Sequence, residues 1–273
     1  MKRLVCVFLM LIVVFAFAGC ATNNNSQDNQ GDQPEEKDLL GQIKDRGYIV
    51  IATEGNWSPW TYHDENDNLT GLDVEIGKRI AEELGVEVRF EETDWDSILS
   101  GVESGKYDIA CNGVGYTDKR AEKYSFSAPY VYTHKVLVVR SDNNDIKSVE
   151  DLKGKTTANT ASSTYASLAK EYGATVTPVN TLSETIQMLD EGQVDATINA
   201  QVSINEYLAQ NPEANIKVVQ ILPGEPVAFP FRKTAESDSL VNEVNEILNR
   251  MRKSGELATI SQQFFGLDLT DPD

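Results

Sequence analysis

Short apolar runs alternate with segments of helical periodicity along most of the chain. Runs typical of buried strands occupy residues 48–52, 86–90, 107–111 and 136–140. Between the first two, four apolar residues recur every fourth position, at Leu72, Ile76, Ile80 and Leu84. This spacing places one apolar stripe on a helix. Strand and helix patterns go on alternating from residue 156 to residue 222, and two helical segments, 240–251 and 257–265, end the chain. The alternation predicts an α/β fold.

The first nineteen residues depart from this pattern. Lys2 and Arg3 precede an apolar run at residues 4–18, which is too short for a spanning helix and has the flanks of a signal peptide. Small residues then stand directly before Cys20, as at a lipoprotein processing site where the cysteine is acylated. The alternative is a plain secretory signal followed by a chance cysteine. Residues 20–37 contain hardly any apolar side chain, so we expect a disordered tether that carries the lipid.

Charge narrows the range of partners. The chain has 24 basic and 43 acidic residues and a formal charge of −19, which becomes −21 once Lys2 and Arg3 leave with the signal. Nucleic acid and anionic membrane surfaces repel such a chain, so we expect no nucleic-acid partner and membrane attachment through lipid alone. Of the three cysteines, Cys6 leaves with the signal and Cys20 takes the lipid. Cys111 then has no disulfide partner, and its place in an apolar strand indicates a buried, inert thiol.

A glycine-rich segment after the strand at residues 107–111 is the main candidate for ligand binding. Gly113, Val114 and Gly115 present backbone that a ligand can approach, and Thr117 and Arg120 follow three residues apart. The planar guanidinium of Arg120 matches a carboxylate through two hydrogen bonds. The segment therefore predicts a carboxylate receptor; a tight turn with a surface arginine is the alternative.

Two other loops lie where ligands of α/β sheets bind, beyond the carboxyl ends of strands. One carries Glu54 and Trp57, whose ring alternatively packs on the core. The other carries Ser162 and Ser163 at a helix N-terminus, where free backbone N–H groups favour anions. Ordinary helix capping by Ser163 explains that loop equally well.

Nothing in the pattern predicts a catalytic or metal centre. The chain has two histidines, His63 and His134, and no Ser/His/Asp set or metal-ligand spacing. The acidic turn at residues 62–71 lacks the spacing of a calcium loop. We expect no metal and no cofactor.

Two segments carry a resemblance to a known family. The first is residues 71–84, Gly-Leu-Asp-Val-Glu-Ile-Gly-Lys-Arg-Ile-Ala-Glu-Glu-Leu. The second runs from Gly113 to Arg120 and is followed by Tyr-Ser-Phe-Ser-Ala-Pro-Tyr at residues 124–130. The sequence resembles the extracellular solute-binding proteins of family 3, from about residue 39 to the end. The resemblance implies a two-lobed periplasmic-binding-protein-like (type II) fold with a hinge and a central ligand cleft. It places lobe 1 at residues 38–131 and 228–273 and lobe 2 at residues 132–227.

The resemblance also assigns roles to residues. It implies that Trp57 lies against the ligand side chain, that Glu54 contacts a polar ligand group, and that Trp95 faces Trp57 across the ligand. The loop with Ser162 and Ser163 would hold the ligand carboxylate from the second lobe.

One position departs from the family pattern. Most amino-acid receptors of the family have an aspartate for the ligand ammonium where this chain has Ala200. A buried ammonium without a compensating charge is unstable, so another acid must serve or the ligand is not a standard α-amino acid. Glu54 is the candidate, with Asn199 as a neutral acceptor.

The resemblance implies the substrate-binding lipoprotein of an ABC importer, a monomer that captures a polar, cystine-like amino acid by lobe closure and delivers it to a membrane permease. It would be extracytoplasmic and anchored to the cell membrane. A ligand-sensing module of a signalling receptor and a dehydratase-like enzyme on the same fold are the alternatives.

Overall fold

A computed structural model describes residues 37–272 of the chain. The predicted signal peptide, Cys20 and nearly all of the tether lie outside the described residues. No helix among residues 37–272 is long and apolar enough to cross a membrane.

The strands and helices follow in chain order. The strands are β1 (Tyr48–Thr53), β2 (Asn56–Trp57), β3 (Thr61–His63), β4 (Leu69–Thr70), β5 (Glu87–Glu92), β6 (Ile109–Ala110), β7 (Tyr124–Phe126), β8 (Val131–Arg140), β9 (Thr156–Asn159), β10 (Thr175–Pro178), β11 (Ala196–Ala200), β12 (Ile216–Val227) and β13 (Pro230–Arg232). The α-helices are α1 (Leu39–Arg46), α2 (Leu72–Leu84), α3 (Trp95–Ser104), α4 (Asp118–Ala121), α5 (Thr164–Glu171), α6 (Leu182–Asp190), α7 (Gln201–Gln210), α8 (Asp238–Ser254) and α9 (Glu256–Phe265).

Two sheets organise these elements. The first has three parallel strands in the order β5-β1-β6. The second has five strands in the order β10-β9-β11-β8-β12, with β8 antiparallel to both of its neighbours. Helices pack on both sheets, and each sheet has its own buried apolar clusters. The fold is α/β and of the two-lobed, type II periplasmic-binding-protein-like class.

Local sequence explains how α1 begins and ends and which face of α2 is buried. The Asp38 side chain caps α1 by accepting from the Gly41 amide, and Gly47 ends the helix in a left-handed conformation. All four residues of the predicted stripe on α2 are buried. The predicted apolar stripe is confirmed.

Two long antiparallel strands, β8 and β12, pair over most of their length. Val131 at the start of β8 faces Val227 at the end of β12, and the register shifts twice between these two residues and the far end of the pair. The strand predicted at residues 216–222 is therefore longer than its apolar run, because residues 224–227 also pair with β8. Helix α7 was not predicted, since its residues form no clear apolar stripe.

Candidate functional site

A cleft opens at the carboxyl ends of strands from both sheets, where α/β proteins bind ligands. Glu54 follows β1, Trp95 follows β5 and Gly113 follows β6, while Asn159 and Asn199 lie at the ends of β9 and β11. The cleft holds about 590 Å³ of empty space, including its opening to solvent. Its lining residues are Glu54, Asn56, Trp57, Trp95, Gly113, Gly115, Arg120, Asn159, Thr160, Ser163, Thr164, Tyr165, Asn180, Thr181, Leu182, Thr185, Asn199 and Glu225.

The cleft brings together most of the residues predicted from sequence. Those in its lining are Glu54, Trp57, Trp95, Gly113, Gly115, Arg120, Ser163 and Asn199. Val114, Thr117 and Ser162 are not in the lining. The Val114 side chain is buried in an apolar cluster with Trp95 and Tyr107. The Thr117 hydroxyl accepts from the Arg120 amide at 3.1 Å and so caps the short helix α4 that carries the arginine.

Arg120 is a partly buried cation in the lining of the cleft. Its Nη1 donates to the Gly115 carbonyl at 2.9 Å, and its Cζ lies 5.2 Å from the centre of a Trp95 ring. Burial lowers the pKa of Arg120, and the nearby Glu225 opposes that shift. Among the described residues no carboxylate forms an ion pair with this guanidinium. Arg120 can therefore accept an anion through its remaining N–H groups.

Glu54 carries the opposite charge to Arg120 and lines the same cleft. Its carboxylate accepts from Asn112 Nδ2 at 2.6 Å, and Asn112 Oδ1 accepts from the Glu54 amide at 2.8 Å. Burial raises the pKa of Glu54 to about 7, against the effect of the Asn112 hydrogen bond, and the neighbouring acids Asp94 and Asp96 raise it further. No cationic side chain among residues 37–272 pairs with it. A ligand cation would restore its ionised form.

The two tryptophans of the first loop stack on each other. The rings of Trp57 and Trp60 lie 5.5 Å apart at 20°, and Trp60 is fully buried with its edge against Phe265. Gly113 lies directly on this stack with φ +56°, and a Cβ there would come within 2.7 Å of the Trp57 ring. Only glycine fits both that backbone conformation and that contact. Trp57 is thus held at the cleft by Trp60 behind it.

Helix α2 positions the glycine-rich segment. Asp73 is fully buried in its first turn and accepts from the Gly113 amide at 2.6 Å and from the Tyr130 hydroxyl at 2.7 Å.

Neutral polar groups cover the side of the cleft formed by the five-stranded sheet. The Asn159 side chain donates to the Thr197 hydroxyl and the Ile198 carbonyl, and it is 2% exposed. Its Oδ1 and the indole Nε1 of Trp95 are buried without a hydrogen-bond partner among the described residues. Because orphaned buried polar atoms are costly, both atoms mark places where a bound ligand can donate or accept.

Ser162 and Ser163 have different surroundings. Ser163 caps α5 by accepting from the Ala166 amide at 3.0 Å, so the capping interpretation is confirmed for it. The Ser162 hydroxyl donates to Asp96 Oδ1 at 2.5 Å, and its amide donates to the same oxygen at 3.3 Å. Asp96 belongs to α3 and Ser162 precedes α5, so this hydrogen bond joins elements of the two sheets.

Sequence reasoning missed several lining residues. Glu225 lies on β12, with its carboxylate against Gly115 and an ion pair to Lys135. An acid in the segment that returns the chain to the first sheet was the only available signal. The other missed residues are neutral, and most are asparagines and threonines, which are common in helix caps and turns: Asn56, Asn159, Thr160, Thr164, Tyr165, Asn180, Thr181, Leu182 and Thr185.

The model of the bacterial extracellular solute-binding proteins, family 3, matches residues 49–267. The chain belongs to this family. It is 39% identical to the L-cystine-binding protein TcyA of Bacillus subtilis (strain 168), over 99% of this chain and all of the relative. These matches confirm the resemblance noted in the sequence.

Two solved structures differ in how well they superpose. An ancestral arginine-binding protein bound to arginine is 35% identical and covers 81% of this chain and 99% of its own, with a TM-score of 0.75. The L-cystine solute receptor of Neisseria gonorrhoeae in its unliganded open conformation is also 35% identical, covering 85% and 99%, but its TM-score is 0.57. At equal identity this chain thus superposes better on the ligand-bound protein than on the unliganded open one.

Proposed function

We propose that the protein captures a polar amino acid, with cystine as the favoured ligand, for an ABC importer. One observation carries the proposal: the cleft places an unpaired guanidinium, Arg120, and an unpaired carboxylate, Glu54, in the same lining. A zwitterion supplies the missing partner of each. Its carboxylate pairs with Arg120, and its ammonium pairs with Glu54 and donates to Asn159 Oδ1.

This assignment explains how the site could hold a ligand ammonium although residue 200 is an alanine and not an acid. Ala200 is fully buried at the end of β11, and its amide donates to Asn199 Oδ1 at 2.8 Å. Asn199 offers no charge, whereas Glu54 offers one that lacks a cation. Glu54 is therefore the residue that we propose for the ligand ammonium.

The aromatic residues support a ligand with a long, weakly polar stem. Trp57 and Trp95 both line the cleft, and their faces bind aliphatic or sulfur-containing chains. The name of the TcyA relative as an L-cystine-binding protein points the same way.

We propose lobe boundaries near residues 131 and 227. Strands β1, β5 and β6 come before the first boundary, and all five strands of the second sheet lie between the two. The pairing of Val131 with Val227 puts both crossings side by side, as a hinge requires. A ligand that contacts both sides would favour the closed state.

Attachment and delivery complete the proposal. Acylation at Cys20 would hold the protein, as a monomer, at the outer face of the cell membrane, and residues 20–37 would tether it near a membrane permease. A single acyl chain binds membranes weakly, so two or more chains are expected.

A ligand screen tests the proposal. A ligand that binds only the native state raises the melting temperature, so the purified protein is heated with each amino acid, cystine, ornithine and carboxylates without an amine. We expect the largest shift with cystine, smaller shifts with neutral polar amino acids, and none with amine-free carboxylates. The proposal would be contradicted if only amine-free carboxylates shifted the melting temperature, or if none of the compounds did.

We further propose that the protein returns its ligand unchanged. The family name and the relatives' names describe binding, and Arg120 and Glu54 find a sufficient role in holding a zwitterion. Mass spectrometry of the ligand after incubation with equimolar protein tests this, and formation of a dehydrated product would favour the dehydratase-like alternative.

A further inference from the structure

An internal ion pair stands directly behind the cleft. Lys135 Nζ lies 2.5 Å from Glu225 Oε2, and the two side chains are only 15% and 11% exposed. Glu225 lines the cleft, while Lys135 is not in the lining. The two residues belong to the long strands β8 and β12, and Glu225 faces Thr133, two positions before Lys135. The pair is therefore built into the most extensively paired strands of the second sheet.

The Glu225 carboxylate lies between two cations. It packs against Gly115, where an added Cβ would come within 3.0 Å of Glu225 Cδ. The carbonyl of the same glycine accepts from Arg120 Nη1. With Lys135 on its other side, Glu225 is already compensated before any ligand arrives.

The charged side chains that line the cleft, together with the lysine paired to one of them, consequently sum to zero. Arg120 and Lys135 supply two positive charges, and Glu54 and Glu225 supply two negative ones. A zwitterionic ligand of zero net charge leaves this balance intact. A ligand with a net positive charge brings a charge that no remaining carboxylate of the cleft lining compensates.

We propose that Lys135 determines specificity: by neutralising Glu225 from behind the cleft, it excludes ligands with a net positive charge, such as arginine and ornithine. The inference rests on the proposed function and deepens it. The fold itself does not make this choice, since one similar structure holds arginine while the TcyA relative is named for cystine. Lys135 and Glu225 form an ion pair beside the cleft, so their charges act directly on a cationic group of a ligand.

Removing the lysine charge would turn Glu225 into a subsite for a ligand ammonium. A buried carboxylate that loses its cation recruits another one or takes up a proton. Arg120 stays in place through Gly115 and Trp95, so the ligand carboxylate keeps its partner.

Isothermal titration calorimetry of Lys135→Met and Lys135→Arg tests the proposal with cystine, glutamine, arginine and ornithine. We expect the unaltered protein to prefer the net-neutral ligands at least tenfold. Lys135→Met should shift the ratio of affinities at least tenfold toward arginine and ornithine, and Lys135→Arg, which keeps the charge, should leave the ratio unchanged. In Lys135→Met with Glu225→Gln the shift should disappear.

Three results would overturn the inference: an unaltered ratio in a folded Lys135→Met, an equal shift in Lys135→Arg, or tight arginine binding by the unaltered protein. Should Lys135→Met fail to fold, Glu225→Gln alone decides the matter. It exposes the ligand to an uncompensated lysine, so arginine binding should weaken further while glutamine binding changes less. Failure of the proposed function looks different, because the unaltered protein would then bind no amino acid.

Discussion

The two sides of the cleft are built from different kinds of residue. The side on the three-stranded sheet supplies charge and aromatic surface through Glu54, Trp57, Trp95 and Arg120. The side on the five-stranded sheet supplies mainly neutral groups from asparagine, serine and threonine. We infer that the first side supplies most of the binding free energy and that the second side mainly completes the enclosure. Charged hydrogen bonds contribute more than neutral ones, which supports this division.

Replacement of Arg120 should have the largest effect on binding. Arg120→Ala removes the partner of the ligand carboxylate, and truncation of a buried charge pair costs about 2–5 kcal/mol, or roughly 30-fold to 5,000-fold in Kd. Calorimetry with cystine measures this change in Kd. Arg140→Ala is the matched control, because Arg140 pairs with Asp142 at the surface. Affinity retained in Arg120→Ala would remove Arg120 from the site and reverse the comparison.

Substitutions of Glu54 and Asn199 compare the two sides of the cleft directly. Glu54→Gln keeps an acceptor for Asn112 but loses the charge, so we expect affinity for α-amino acids to fall about 10-fold to 100-fold. Asn199→Ala removes only neutral groups and should cost less than about tenfold. Equal and small effects of the two substitutions would show that Glu54 does not hold the ammonium.

The pH dependence of binding sharpens the same assignment. With a pKa raised to about 7, the Glu54 carboxyl is mostly ionised at pH 8 and mostly protonated at pH 6 in the ligand-free protein. An ammonium ligand must displace that proton, so affinity falls as the pH drops below 7, by about tenfold between pH 8 and pH 6. In Glu54→Gln this dependence should vanish. A profile that is the same in both proteins would assign the titration to another group.

The smallest effect is expected for the hydrogen bond between Asp96 and Ser162, which does not involve the ligand. If it forms only in the closed state, its loss weakens binding by reducing closure. An exposed bond of this kind contributes about 0.5–1.5 kcal/mol, so Ser162→Ala should raise Kd roughly twofold to tenfold. Asp96→Ala should match it, and the double variant should be no worse than either. Additive effects would indicate that Ser162 contacts the ligand, as the sequence resemblance implies.

Most of the lining residues predicted from sequence lie on the side with charged and aromatic residues. Arg120 after two glycines, and Glu54 and Trp57 after a strand, are conspicuous because such residues are costly to bury without a function. On the other side, Asn180 and Thr181 are residue types that are equally common in ordinary helix caps. Thr181 does cap α6. Local sequence cannot separate a cap that faces a cleft from one that faces solvent.

The lengths of the strands could not be predicted from local sequence either. The predicted strand at residues 107–111 pairs only over Ile109–Ala110, whereas β12 extends to Val227. Pairing requires a partner strand of matching length, and that partner is distant in sequence.

By itself, the sequence determined the alternation of strands and helices, the apolar stripe of α2, and the identities of Arg120 and Glu54 as groups too costly to bury unpaired. These features depend on residues close together in the chain. Only the tertiary structure decided that Glu225 reaches the cleft, that Lys135 neutralises it, and that Ser162 meets Asp96. Each of these contacts joins residues more than 60 positions apart, and their distances follow from how the sheets pack and not from local pattern.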